Sequence, residues 1–518
     1  MKNQFTDLFY YNKYFEEFLS TYYLKELKEN RLSSVENEKV QQELVALLYS
    51  DLLYAYSESN MTPKAFFGQY KTQKLKRICK IDFQKYTLKI SLIVYLKKIY
   101  SAFRCIKRLI RSVFRKQLVN IEKFRTFTLV MDDLFLEQRF KQTEDLTDFY
   151  NFFDSTFGDS ISTNRCNIIC SSFFSGHALN NYYFSSSPIY DLSIFLPQSK
   201  ALVCALKSIC QLLILIPRCT FNPRLLLIID DLVDQIYLSQ VTRYLEIREI
   251  IVTNSKYNTQ PLCLKQSLTK KYKSSMLWYS ANAKWFKYKQ APDNYTFNPM
   301  FKNIDVDNHY VWNEDQCLWL KDVVGLKASY EIIGPVTFRP KYILPIEARK
   351  SHFNIFLFDV APFANGKNQK SVYGNSYVYY SLENCRSFLG DIVDAFQKYS
   401  NVTIHLKNKR KYTSYHSAEY LHFIEELGAS QKIVLHDESL DAAKLIAEQA
   451  DLVFSIPYTS VFYIADHYGV NSGYYDPSGK LELNYSLGKK GFFVQGKKSL
   501  VSFADSYMES LKNDAKNS

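Results

Sequence analysis

HFNIFLFDV (352–360), VTIHLKNK (402–409), QKIVLHD (431–437) and DLVFSI (451–456) are short apolar runs rich in β-branched and aromatic residues. Between them lie SLENCRSFLGDIVDAFQKYS (381–400), SAEYLHFIEELG (417–428) and SLDAAKLIAEQA (439–450), whose apolar residues recur at helical spacing. SVFYIADHYG (460–469) continues the alternation, and Gly428 and Gly469 stand where a helix closes before the next strand. Strands that alternate with helices build a parallel sheet covered on both faces, because each connection must cross back to the starting edge. Residues 346–518 therefore predict a Rossmann-like domain, with a ligand crevice at the carboxyl ends of its strands.

Towards the amino terminus the same texture recurs in TFTLVMDD (126–133), NIICSSFF (167–174), RLLLIIDD (224–231) and REIIVTNS (248–255). These read as buried strands of a second Rossmann-like domain over 119–275. Residues 276–345 contain all four tryptophans and read as an aromatic interdomain region, either lining a sugar cleft or forming hinge core. The predicted fold class is α/β: two Rossmann-like domains facing across a cleft, with an N-terminal helical extension over 1–118.

Of 518 residues, 47% are hydrophobic and 16% aromatic, too apolar for a disordered chain. Mean hydropathy of −0.23 excludes a polytopic membrane protein. The net charge of +13 is local: residues 71–116 hold fifteen Lys or Arg against Asp82 alone, leaving about −1 for the rest. Within this segment Leu92, Leu96, Ile99, Phe103, Ile106, Ile110 and Val113 share one predicted helical face. Lys97, Arg104, Arg108, Arg111 and Arg115 fall on another. A basic amphipathic helix of this kind predicts docking on an anionic membrane surface. Ala201 to Cys219 is long and apolar but contains Lys207 and Pro217, and reads as a buried helix or a surface dipping into a membrane rather than a span. The ten cysteines form no CxxC and predict neither a zinc module nor a disulfide framework. The first residues lack the pattern of an export signal, so the expected location is cytoplasmic, peripheral on the inner face of the cytoplasmic membrane.

The strongest local chemical signal is SIPYTS (455–460): a buried strand ends, Pro457 turns the chain, and Thr459 and Ser460 open a helix. Ser455, Thr459 and Ser460 beside free helix N–H groups suit a phosphate, although Ser and Thr also cap helices routinely. Lys407, Lys409, Arg410 and Lys411 end a strand of the same sheet, where cations would neutralise a leaving phosphate or simply be solvated. Asp476 and Ser478 suit a ribose or a turn, and Asp359 ends the first strand of the domain. Candidate general bases are Asp132, Asp133, Asp230 and Asp231, each after an apolar run of the first domain, where helix capping is the competing role. Asp305-Val306-Asp307 reads as a chance match to a metal-binding triplet. No dinucleotide, P-loop, zincin or hydrolase motif is present.

In order along the chain come Leu277-Trp278-Tyr279-Ser280, Trp312-Asn313-Glu314, Gly334-Pro335-Val336, Phe358-Asp359-Val360 with Pro362, Lys407 with Lys409-Arg410, Pro457-Tyr458-Thr459-Ser460, and Tyr474-Tyr475-Asp476-Pro477-Ser478-Gly479. This series resembles the bacterial polysaccharide-biosynthesis family named for its PFTS motif, with Tyr458 in place of Phe, over roughly 276–480. The resemblance implies a GT-B-type glycosyltransferase of surface-polysaccharide assembly, with Gly334 in the donor site beside the residues above. The Ser455–Ser460 loop is also similar to that of sialyl- and Kdo-transferases, which use CMP-activated sugars and often carry His-Pro where this chain has Lys409-Arg410. The expectation is an inverting, metal-independent transfer from a nucleotide-sugar to a glycan or lipid-linked acceptor, without cofactor or nucleic acid. The alternatives are a non-catalytic glycan-binding or scaffold protein of the same architecture, or a nucleic-acid-binding protein using the basic segment.

Overall fold

A computed structural model describes residues 39–40, 42–43, 100 and 103–517 with gaps, the longest being 115–123, 141–145, 158–164, 266–270, 340–351 and 365–378. The amino-terminal sheet contains β1 (Thr126–Val130), β2 (Arg165–Cys170), β3 (Ala178–Leu179), β4 (Tyr182–Ser185), β5 (Glu246–Thr253), β6 (Lys273–Leu277), β9 (Asn308–Val311) and β10 (Ser329–Ile332). Their spatial order is β10-β9-β6-β5-β1-β2-β4-β3, parallel throughout except for the β3–β4 pair at one edge. β7 (Phe286–Tyr288) and β8 (Ala291–Thr296) form a separate hairpin.

The carboxyl-terminal sheet is all parallel, in the order β13-β12-β11-β14-β15-β16. Its strands are β11 (Phe353–Phe358), β12 (Val402–Lys407), β13 (Val434–His436), β14 (Leu452–Ser455), β15 (Asn471–Asp476) and β16 (Gly491–Gln495). Counted within the domain this is 3-2-1-4-5-6, the nucleotide-binding strand order, and the parallel strands of the first sheet follow the same scheme around β1. Both α/β domains predicted from the alternation are present.

Period-two burial explains how the second sheet is covered. Ile355 and Leu357 of β11, with Leu452 and Phe454 of β14, pack into one core with helices α4 (Leu382–Phe396), α5 (Ala418–Ala429) and α8 (Gly496–Asn517). Phe356, Phe358 and Val453 point the other way, onto α6 (Ala442–Gln449) and α7 (Val461–His467). Ser381, Ser417 and Asp441 cap α4, α5 and α6 by accepting backbone N–H bonds, so each helix starts where its sequence signal stood. In the first domain α1 (Thr147–Phe157), α2 (Gln198–Phe221) and α3 (Ile229–Val241) accompany the sheet.

Three expectations are corrected. RLLLIIDD forms no strand over its described residues: Ile229, Asp230 and Asp231 open α3, an apolar run of that length being equally compatible with a buried helix. Residues 276–339 are divided between the two domains: β9 and β10 extend the first sheet and β6 spans the expected boundary at 275/276, whereas Tyr288 of β7 packs into the second core. Their tryptophans Trp278, Trp312 and Trp319 are buried in the first domain's core; Trp285 lies outside the described residues. The basic helix, described over 103–111, is rotated from the predicted phase. Cys105, Leu109 and Val113 are buried, whereas Phe103 and Ile110 of the expected packing face are exposed. Lys97 and Arg115 lie outside the described residues. The nine described cysteines are all free thiols.

Asp234 of α3 is half-buried, accepts a 2.6 Å bond from the Tyr190 hydroxyl, and has its carboxyl pushed up to about 7, chiefly by desolvation. Its folded pKa lies above the unfolded value of about 4, so the folded state retains a proton that the unfolded chain has lost. Stability therefore falls as pH rises from about 4 to about 7 and levels off above that. Asp234→Asn should flatten this segment of a plot of denaturant midpoint against pH; an unchanged slope would assign it to other groups.

Candidate functional site

In each sheet the strand order reverses direction between the first and fourth strands, so their carboxyl ends diverge into neighbouring loops. In the second domain the reversal lies between β11 and β14, where Phe358 pairs with Ser455. The SIPYTS loop leaves from this point. Ile456 N donates to Phe358 O (3.1 Å), Tyr458 N to the Tyr380 hydroxyl (3.2 Å), and the Tyr474 hydroxyl to Thr459 O (2.9 Å). The Pro457–Tyr458 peptide is cis. Tyr458 is buried against Tyr474, and its hydroxyl donates to Glu482 O (3.2 Å), which explains how Tyr serves where the family motif has Phe.

Two hydroxyls in this loop stand out. Ser455 Oγ and Thr459 Oγ1 are buried and have no hydrogen-bond partner. A buried polar group left unpaired costs about 1–3 kcal/mol, so a pair within one loop is the mark of a site for an acceptor-rich ligand. Ser460, by contrast, is engaged across the crevice, where its Oγ accepts from Ala281 N (2.9 Å) and joins this loop to the loop after β6. It makes no side-chain cap on α7, which is only seven residues long, so its dipole contributes less than the sequence led one to expect.

Lys407 ends β12, beside β11, and is buried with Nζ donating to Asn408 O (2.8 Å). It thus shares the carboxyl edge of the sheet with Ser455 and Thr459. Lys409, Arg410 and Lys411 lie outside the described residues. Next to Lys407 in the sheet, His436 bonds His405 (2.9 Å), which burial and that neighbour hold down to about 4, leaving it neutral at physiological pH.

Three predicted donor contacts also have structural roles. Asp476 accepts bonds from the Tyr379 hydroxyl, Ser478 N and Oγ, Leu481 N and Gln495 Nε2, which occupy it as a loop anchor. Asp359 is buried at the end of β11 and accepts a bond from the Tyr420 hydroxyl of α5. Gly334, at φ +77°, makes the left-handed turn that sends Val336 and Phe338 into the first core.

Among the candidate bases, position separates two pairs. Asp231 lies 3.3 Å from the buried Lys39 ammonium at the start of α3, and Asp230 shares that helical turn. Both therefore belong to a helix start and its ion pair rather than a strand end. Asp132 and Asp133 follow β1, at the reversal point of the first sheet. Asp132 Oδ2 accepts from Thr253 N (2.6 Å) and Oγ1 (3.0 Å) at the end of β5, and Lys256 lies 4.0 Å away. Burial raises its pKa despite Thr253 and Lys256. Asp133 accepts from Ser172 Oγ (3.0 Å) after β2 and is less buried. Asp305 and Asp307 of the DxD triplet are spoken for: Asp305 lies 3.8 Å from Lys265, and Asp307 accepts from Ser274 N and Oγ. Among the described residues no cluster of three His, Cys, Asp or Glu is placed to hold a metal ion.

The two carboxyl edges are apposed. Besides Ala281–Ser460, Tyr463 and Ile464 of α7 pack against the first core. Arg339 joins the domains: Nε donates to Asp441 (2.6 Å) at the start of α6, Nη1 to Asp148 (3.0 Å) in α1, and Nη2 to Arg139 O (3.3 Å). Sequence reasoning missed Arg339, because no motif marks a residue whose partners are about 100 and 190 positions away.

Paired α/β domains with strand-reversal crevices face to face define a two-domain, doubly wound class of architecture. The profile of the polysaccharide biosynthesis PFTS motif proteins matches residues 206–503, and the chain belongs to that family. No curated protein sequence matches it. Similar solved structures include the GtfA/B complex, at 13% identity and TM-score 0.35 over 54% of this chain and 54% of that one, about half its length. Sucrose-phosphate synthase from Thermosynechococcus elongatus matches at 9% identity and TM-score 0.42, over 76% and 90% of the two chains. The ADP-heptose lps heptosyltransferase II of E. coli matches at 9% and 0.31, over 75% and 98%.

Arg339→Ala should lower stability by about 1–3 kcal/mol, since it leaves Asp148 and Asp441 without their shared partner. Small-angle scattering should show a larger radius of gyration; a thermally weakened variant of unchanged dimensions would limit Arg339 to local packing.

Proposed function

We propose that the protein is a GT-B-type glycosyltransferase that moves a sugar from a nucleotide donor onto a glycan or lipid-linked acceptor in polysaccharide assembly. The observation that carries this reading is the pair of unpartnered buried hydroxyls, Ser455 Oγ and Thr459 Oγ1, at the strand-reversal point of the second sheet. They donate to the donor phosphate, and Lys407, with Lys409 and Arg410 next in the chain, offsets its charge as the bond to the sugar breaks. Family membership supports the polysaccharide context.

In this reading the acceptor hydroxyl attacks the anomeric carbon while the carbon–oxygen bond to phosphate breaks, with inversion through an oxocarbenium-like state. The hydroxyl proton passes to a carboxylate after β1. Asp132 is the better base on pKa, which burial brings closer to neutrality, and Asp133 the better on exposure. The donor is a CMP-linked nonulosonic acid by the loop's similarity to sialyl- and Kdo-transferases, and no resident cofactor is invoked.

Ser455→Ala and Thr459→Val test the site with two readouts of opposite sign. Removing a buried hydroxyl that lacks a partner should leave stability unchanged or raise it, whereas each change should weaken nucleotide binding about 10- to 100-fold. Calorimetric titration with CMP, CDP, UDP, GDP and TDP measures the second and a thermal melt the first. Binding of CMP alone supports the nonulosonate donor, and binding of another nucleotide keeps the transferase and replaces the donor. A panel that fails to bind, or binds equally to both variants, overturns the assignment and favours a glycan-binding protein.

A further inference from the structure

Among the described residues, two helices of the first domain expose apolar faces. On the basic helix, Tyr100, Phe103, Lys107, Ile110 and Phe114 succeed one another at spacings of 3 and 4 and so form one stripe. Tyr100, Phe103 and Phe114 are 63%, 65% and 77% exposed. At 100° per residue this stripe is distinct from the buried Cys105–Leu109–Val113 face and borders Arg104, Arg108 and Arg111. The Arg104 guanidinium lies 5.2 Å from the Tyr100 ring centroid, so cation and aromatic sit side by side.

The second helix is α2. Its most apolar 18-residue window, within 198–219, has a mean hydropathy of 1.8, long and apolar enough to cross a membrane, yet only 35% of that window is buried. Ala201, Cys204, Ala205, Ser208, Leu212, Leu215 and Cys219 form the buried side, with Gln211 meeting Gln240 of α3 (3.4 Å). Leu202, Leu206, Leu213 and Ile214 stand on the opposite side, the last two 61% and 67% exposed. Lys200, Lys207 and Arg218 line its edge. Both helices are tied to α3: Cys105 and Arg108 approach Tyr190, whose hydroxyl bonds Asp234 and whose ring stacks on Tyr237 of that helix.

We propose that these two exposed faces form a docking surface for an anionic phospholipid monolayer, with the aromatic and aliphatic side chains entering the headgroup boundary. Charge complementarity selects this occupant. Residues 100–114 and 198–221 together carry seven Lys or Arg and no Asp or Glu, and all of these cations but Lys107, which lies within the first stripe, flank the apolar residues. An apolar face on this scale is unfavourable in water and marks an interaction surface. The fold holds the buried side of α2 on α3, so α2 lies along the membrane plane instead of crossing it. The assignment is independent of the sugar-transfer reading.

Flotation of the full chain with vesicles tests it, using phosphatidylcholine alone or mixed with phosphatidylglycerol. The protein should float with the anionic vesicles and stay below with the neutral ones. Phe103→Ser with Phe114→Ser, and separately Leu206→Ser with Leu213→Ser, should each reduce the bound fraction at least about tenfold. All four residues are exposed, so far-UV circular dichroism and melting temperature should not change. Failure of the wild type to float with anionic vesicles overturns the proposal, as does flotation indifferent to both double variants. A dimer in sedimentation that the variants convert to monomer, with flotation unchanged, would make the faces a contact between copies. A duplex-DNA mobility shift at physiological salt without vesicle binding would make the basic helix a nucleic-acid surface.

Discussion

A parallel strand can be followed by another only if the chain returns to the starting edge, and that constraint organises this protein. Every βα loop is thereby delivered to the carboxyl edge, and the return is made by a helix or loop covering one face. Since both sheets run outward from their first strand in two directions, each keeps one pair of neighbouring strands whose loops part. Asp132 bonded to Thr253 marks that place in the first domain, and the Phe358–Ser455 pair marks it in the second. Segments far apart in sequence, Leu277–Ser280, Trp312–Glu314 and Pro457–Ser460, meet because each follows a strand of one of these sheets.

The polar economy of the site follows from this placement. Two of the acids there are committed to protein partners: Asp476 to its own turn and Asp359 to Tyr420. Such bonds hold loops rigid, which is what a preorganised site requires of its surroundings. Among the described residues the hydroxyls of Ser455 and Thr459 lack such partners, in a segment held by the hydroxyls of Tyr380, Tyr458 and Tyr474. The many tyrosines act as spacers that fill volume like phenylalanine and use their hydroxyls on backbone or carboxylate acceptors.

The two domains differ in what their surfaces expose. The second closes both faces of its sheet with helices, whereas the first carries two helices whose outer sides remain apolar and basic. Arg339 and the Ser460–Ala281 bond join the domains near the crevices, so a surface that orients the first domain also orients the site.

Local periodicity was enough to read the second domain as far as residue 469, with its alternating strands, capped helices and the SIPYTS loop at a strand end, but β15, β16 and α8 went unread. The same reading failed at RLLLIIDD, because an apolar run of that length buries equally well as strand or helix and only neighbouring elements decide. It also mis-phased the basic helix, where apolar residues outnumber those the core can accept, so packing chose Cys105 and Leu109 over Phe103 and Ile110. The extent of the first sheet, the separation of Asp132 and Asp133 from Asp230 and Asp231, and the Arg339 bridge belong to tertiary structure alone. Each depends on contacts between residues tens to hundreds of positions apart, and pairings at that range leave no periodic trace in a single sequence.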